Sequence, residues 1–439
     1  MLHNRIRRGD SRRFRIKIFG GQANRRRKDY NFANGNTDSY FVNATYRKFG
    51  YIKITLIILA FIVLIFCGRQ AAVFADTQSD ASDSIEETID KILEGIDYSQ
   101  LENLFTESGI AENQSFIHYL KQIILCTEDL SADAILDKVK SSILGEIREL
   151  APTFACILAV VLFLALINTL RPQTFNQSLI NVCTFVGNGI IIGIVISKYI
   201  GYLNSSKQTI LLMSRYIEFS FPIMITLMTA SGAKASAAAF KPISALLCNG
   251  VSAICVSILI PIVLLLLIFS AINSFSDTVK LNKMCDFLKS AFKWIIGVMG
   301  VIFCFFITAK GIGVSVYDTV SIKALKYTMG NVLPLVNSML NGGFDLVVAS
   351  CVLIKNGFGI LTMIAIICVV AVPLVQTICF SLMLKLVSAV AESIADAKTT
   401  RFISGASESV SYLCSVQVVV TIACLVTVML ATCTLGVGI

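Results

Sequence analysis

Beyond residue 150 the chain is built from apolar runs too long for a water-facing fold, and this one property decides most of what it can become. Near-unbroken runs cover 152–170, 178–196, 242–272, 294–308, 357–384 and 411–438. About 20 helical residues, rising about 1.5 Å each, cross the roughly 30 Å hydrocarbon core of a bilayer. Lipid offers no water to the backbone amides, so such runs close their hydrogen bonds internally as helices. The expected fold class is all-α, a polytopic helical membrane protein with the lipid bilayer as its first partner. Only 15% of the 439 residues are charged, against about 25% in ordinary globular chains.

Three further stretches are apolar but interrupted, and the span count therefore runs from about six to eight. The stretch 217–240 ends in a small-residue segment with Ser231, Gly232 and Lys234, followed by Pro242. Small residues let helices approach closely; the alternative is a re-entrant hairpin lining a passage. The stretch 311–340 follows Lys310 and contains Asp318, Lys323, Lys326, Asn331 and Pro334. The third, 343–355, carries Asp345 and Lys355 between Gly342-Gly343 and Asn356-Gly357. Ionisable groups at membrane depth are costly and point to function, unless both sit at interfaces. Ser231, Gly232, Lys234, Pro242, Lys310, Asn331, Pro334, Asp345 and Lys355 are thus the candidate passage or packing residues. Lys355 is expected to reach an interface by snorkelling, as long basic side chains do.

Charge divides the chain more sharply than its net +9. Residues 1–75 hold 15 Lys/Arg and three Asp, whereas residues 76–150 hold 17 Asp/Glu and five Lys/Arg. Arg47, Lys48 and Lys53 precede the apolar run 54–67, and Val73 and Ala75 stand at −3 and −1 before Asp76. That is the pattern of a signal peptide over 47–75, with an uncleaved anchor helix as the alternative. The Arg/Lys runs within 1–46 read as a basic disordered tail or as a start placed too far upstream, and nucleic acid is not an expected partner.

With the signal directing export, 76–150 becomes an acidic extracytoplasmic helical segment, in keeping with basic residues being retained inside. Leu101, Leu104 and Phe105 follow helical spacing, as do Phe116, Leu120, Ile123 and Ile124, and a third stripe includes Ile143, Leu144 and Ile147. Ser99 with Glu102 fits a capping box. These stripes either close on one another or offer a docking face to a partner's extracytoplasmic domain. The basic loop 273–293 belongs inside, which requires 217–241 to dip into the membrane and return. The multi-span region fills 151–439.

Catalytic patterns are absent. The sequence holds no phosphate loop of the form GxxxxGK[ST], no HExxH, no GxSxG and no CxxC, and only two His. No enzyme activity, catalytic residue, cofactor or metal is expected. Gly187-Asn188-Gly189 reads as a packing or hinge position, and the scattered Cys as small hydrophobes.

The order of these features resembles the stage III sporulation protein AE family of endospore-forming Firmicutes. The stretches that carry the likeness are 222–232, 321–334 around Ser321-Ile322-Lys323-Ala324-Leu325-Lys326-Tyr327, and 341–356 with Asp345 and Lys355; the resemblance covers roughly 50–439. It implies a non-enzymatic subunit in the mother-cell membrane around the forespore. The implied partners are the other stage III sporulation A-operon proteins and, indirectly, stage II sporulation protein Q. Their complex would act as a channel or secretion-like apparatus supporting late forespore gene expression. The competing reading is a self-sufficient secondary transporter for a small solute, in which the Gly/Pro-broken stretches supply discontinuous helices.

Overall fold

The computed structural model describes residues 88–93, 95, 98–107, 116–125, 132–169, 177–244, 249–275, 281–305 and 337–432. Among them every regular element is a helix. The basic stretch 1–46, the signal 47–75, Lys310, Asn331 and Pro334 lie outside the described residues. The helices are α1 (Ser99–Glu107), α2 (Phe116–Leu125), α3 (Ala132–Thr169), α4 (Gln177–Ala230) and α5 (Lys234–Ser244). After these come α6 (Val251–Phe275), α7 (Asn282–Phe305), α8 (Asn337–Ile394) and α9 (Ala397–Thr432). Six of them hold segments long and apolar enough to cross a membrane: α3, α4, α6, α7, α8 and α9.

Two helices are far longer than one crossing needs. α4 has 54 residues and α8 has 58, about 80 Å and more at 1.5 Å per residue. In α4 the apolar run 178–196 continues without a break through the polar stretch into 217–230. A single stripe explains the continuity: Val195, Tyr199, Ser206, Ile210, Met213, Ile217, Met224 and Leu227 recur every three to four residues and are all nearly inaccessible. Asn204, Lys207, Gln208, Arg215 and Glu218 fall on the opposite, exposed face. α8 likewise joins 343–355 to 357–384, so Asn356-Gly357 is helix interior rather than a boundary.

Cross-helix contacts fix the directions. α3 runs antiparallel to α4, with Glu149 against Lys198, Glu146 against Tyr202 and Leu164 beneath Gly187. A Cβ on Gly187 would stand 2.6 Å from Leu164 Cδ2, so that glycine is a packing position, whereas Gly189 meets nothing within 4 Å. α8 and α9 form an antiparallel hairpin, joined by the Ser381–Ser411 hydroxyl pair at 3.0 Å. α6 is antiparallel to α9, with Ser409 on the Val263 carbonyl and Ser274 on the Lys398 carbonyl. α4 and α9 run parallel, pairing Asn188 with Thr399 and Ser206 with Gln417. α9 is the central strut, with Val410, Leu413, Val416, Val420 and Cys424 all inaccessible.

The acidic-segment helices use their apolar stripes on this same bundle. Leu101, Leu104, Phe116, Leu120 and Ile124 are buried. Tyr216 Oη of α4 donates to the Leu104 carbonyl at 2.6 Å, and Phe116 meets Phe358 of α8 edge-on at 5.9 Å. Ile124 fills the space above Gly357, where a Cβ would lie 2.6 Å away. Those two stripes therefore seat on α4 and α8 of their own chain. The third behaves differently: Leu144 and Ile147 are 69% and 53% exposed while Glu146 turns inward at 5%. Tyr202 waits on the inner side to bond that carboxylate, and the neighbouring apolar groups rotate outward.

Candidate functional site

Polar side chains line the interior of the bundle where α4, α6 and α9 meet. Each is held by a short bond, because a polar group taken from water costs free energy until it is paired. Thr399 Oγ1 donates to Asn188 Oδ1 at 2.6 Å. Eleven residues further along α4, Tyr199 Oη shares a 2.9 Å bond with Ser409 Oγ, and Ser409 donates to the Val263 carbonyl at 2.7 Å. Ser206 Oγ gives its proton to the Tyr202 carbonyl at 2.7 Å and accepts from Gln417 Nε2 at 2.6 Å. Thr421 closes the row beside Met213 Sδ at 3.8 Å. From Asn188 to Met213 the column follows α4 for about 38 Å at 1.5 Å per residue, longer than a hydrocarbon core.

One carboxylate adjoins the column. Glu146 is buried and accepts from Tyr202 Oη at 2.6 Å, with the Tyr202 ring against Phe380 at 4.8 Å. An ion pair joins α7 to α9: Lys289 Nζ sits 2.7 Å from Glu408 Oε2, both partly buried. Phe292 packs on Tyr412 one turn along at 4.7 Å. Pairing of this kind is what keeps charge tolerable at membrane depth.

Lys355 is the largest departure from expectation. It does not reach an interface: the residue is 1% exposed, and its Nζ donates to the Thr432 carbonyl at 2.9 Å. Thr432 lies in the last described turn of α9, so the buried ammonium is held by a main-chain carbonyl of a neighbouring helix rather than by water. Next to it, α8 and α9 nearly touch. A Cβ on Gly359 would overlap Thr432 Cγ2 and stand 3.4 Å from Met224 Cε of α4. The stem cannot snorkel because α9 closes over it.

The remaining expected residues have separate places. Gly232 takes φ 89° between α4 and α5, with Gly232 N donating to the Thr229 carbonyl at 3.1 Å and Ala233 N to the Met228 carbonyl at 2.9 Å. That bonding pattern is a Schellman cap, in which glycine meets no Cβ penalty. Ser231 Oγ, fully buried, donates to the Met228 carbonyl at 2.9 Å. α5 then folds back so that Phe240 packs on Phe221 at 5.3 Å. Lys234 and Pro242 are exposed on α5, and Asp345 lies in the early turns of α8, ten residues before Lys355. The structure brings Ser231 and Gly232 together at one turn and sets Lys355 apart at another junction.

Sequence reasoning read Asn188 only as part of a packing or hinge position and missed Tyr199, Gln417, Glu146 and Glu408. The signal was there for Asn188 and Gln417, since each is an amide inside an apolar run.

Residues 114–435 match the family described as stage III sporulation protein AE. The chain belongs to that family. The matched range takes in α2 through α9, hence the column, the Glu146–Tyr202 pair and the Lys355 cap. The stage III sporulation protein AE of Bacillus subtilis (strain 168) is 22% identical over 374 residues, covering 83% of this chain and 94% of that protein. No solved structure matches the chain.

Proposed function

We propose that the chain is a non-enzymatic membrane subunit of the sporulation stage III A complex, set in the mother-cell membrane around the forespore. The observation that carries this reading is the family match over most of a chain with six membrane-length helices. In this role the subunit works with the other stage III A-operon proteins and, through them, with stage II sporulation protein Q. The assembly forms a channel or secretion-like apparatus that sustains late forespore gene expression. The segment 76–150 lies between the two membranes, and α1 and α2, seated on α4 and α8, brace the bundle on that side. Ser231, Gly232, Lys234, Pro242, Lys310, Asn331, Pro334, Asp345 and Lys355 serve passage or packing. Packing is best supported for Ser231, Gly232 and Lys355, whose contacts are internal.

Deleting the gene in its spore-forming host should stop development after engulfment and before mature spores appear. A deletion strain with a parental yield of heat-resistant spores refutes the proposal. The competing reading, a self-sufficient transporter, predicts instead that the purified protein alone drives solute uptake into liposomes.

A further inference from the structure

One stretch of α6 leaves the α-helical ladder. Cys255–Leu259 is wound as a π-helix inside an otherwise α-helical element. Such stretches loosen the regular hydrogen bonding of a helix and concentrate at functional positions. What faces this stretch follows from the register of α6 against α9. Ser274 bonds Lys398, Ser270 bonds Phe402 and Val263 bonds Ser409, and each pair advances equally along the two antiparallel helices. Carried through the π-helical stretch, the register sets Gln417 at the level of Ser252–Cys255.

Both polar residues at this level are buried, at 0% and 4% exposure, and Gln417 Oε1 and Ser252 Oγ have no hydrogen-bond partner among the described residues. Roughly nine-tenths or more of buried polar groups in proteins are paired, so two orphans at one level need a cause. The Gln417 orientation is not arbitrary. Ser206 Oγ has already given its single proton to the Tyr202 carbonyl, so it can only accept, and the Gln417 amide nitrogen must face it. The Gln417 carbonyl oxygen is thereby directed away from its one partner. Both unpaired oxygens are neutral, and the backbone beside Ser252 is irregular. The Glu146 carboxylate is held by Tyr202, a single turn from Ser206 on α4.

We infer that the junction of the α6 π-helical stretch with α9 binds a monovalent cation, with Gln417 Oε1 and Ser252 Oγ among its ligands. Neutral oxygens at an interrupted membrane helix are the means by which membrane proteins hold sodium ions. Divalent ions favour sites with carboxylates in direct contact, and an anion would meet two oxygen acceptors and the field of Glu146. The inference does not rest on the sporulation role and is tested without any partner protein.

The test is thermal unfolding of the full chain in detergent, titrated with sodium chloride or potassium chloride against choline chloride at equal ionic strength. One small cation should raise the midpoint saturably, by about 3–5 °C near a hundredfold excess over its dissociation constant. Gln417→Leu should abolish that rise. Gln417→Glu, which adds a charge at the same atom, should keep it and lower the half-saturating concentration. Equal midpoints in all three salts would mean that only water or packing satisfies these atoms, and would overturn the inference. A cation response that survives Gln417→Leu would overturn it as well.

Discussion

Two glycine-to-alanine changes separate helix propensity from the packing of the bundle. Gly405 lies inside α9, where an added Cβ would overlap Ser270 Oγ of α6 and stand 2.9 Å from Ser270 Cβ. Gly193 lies inside α4 with nothing within 4 Å of the added atom. Both changes gain about 1 kcal/mol of helix propensity, so that contribution cancels when the two variants are compared. What remains is the cost of forcing α6 away from α9, about 1–3 kcal/mol for an overpacked contact. In a chain this long, that difference amounts to about 1–3 °C in the unfolding midpoint. The assay is thermal unfolding in detergent, followed by the reactivity of newly exposed cysteines such as the buried Cys255 and Cys414. Gly193→Ala should unfold at or above the parental temperature and Gly405→Ala clearly below it. Adding Ser270→Ala to Gly405→Ala removes the hydroxyl overlap and should restore part of the loss. A Gly405→Ala variant as stable as Gly193→Ala would refute the α6–α9 register that sets Gln417 level with the π-helical stretch.

Further outcomes follow from single contacts. Tyr216→Phe strips the Leu104 carbonyl of its buried donor; it should cost about 1–3 kcal/mol and speed proteolytic cleavage between α1 and α2 in native detergent samples. Asn188→Ala, Thr399→Ala and their double variant should show a coupling of about 0.5–1.5 kcal/mol in unfolding, and simple additivity would place the two groups apart. Lys355→Gln should reduce the amount of folded protein recovered from membranes, because the cap on the Thr432 carbonyl is lost; unchanged recovery would return Lys355 to an interfacial role. Asp345→Asn should lower spore yield at normal protein level, and a parental yield would make that carboxylate dispensable.

Much of the fold is readable from residue order because helix periodicity and run length are local properties. Among the described residues, the stripes of α1 and α2 and the apolar runs beyond residue 150 fall in helices, and Leu101, Leu104, Phe116, Leu120, Ile123 and Ile124 of the two stripes are buried. Helix ends were harder to place. The polar stretch 197–216 looks like a loop by hydropathy, yet it is helix, with Asn204, Lys207, Gln208 and Arg215 on the exposed face and Tyr199, Met213 and Ile217 on the other. Hydropathy averages around the helix and hides that division. Lys355 was misplaced for a related reason: whether a lysine can snorkel depends on what covers it, and the cover is α9 around Thr432, 77 residues away. The buried column was invisible for the same reason, since Asn188–Thr399 and Ser206–Gln417 are each 211 residues apart. Gly232 was legible as special, but its duty as a helix cap appears only with its positive φ.

The central claim is that this chain is one subunit of an assembly rather than a machine complete in itself. The most direct measurement is isolation of the tagged, functional chain from sporulating cells in mild detergent, after engulfment, with its companions identified and counted. The account predicts recovery in a large particle together with the other stage III A-operon proteins at fixed ratios. Recovery of the chain by itself, at full spore yield and under conditions that keep the other stage III A-operon proteins associated with one another, would contradict it.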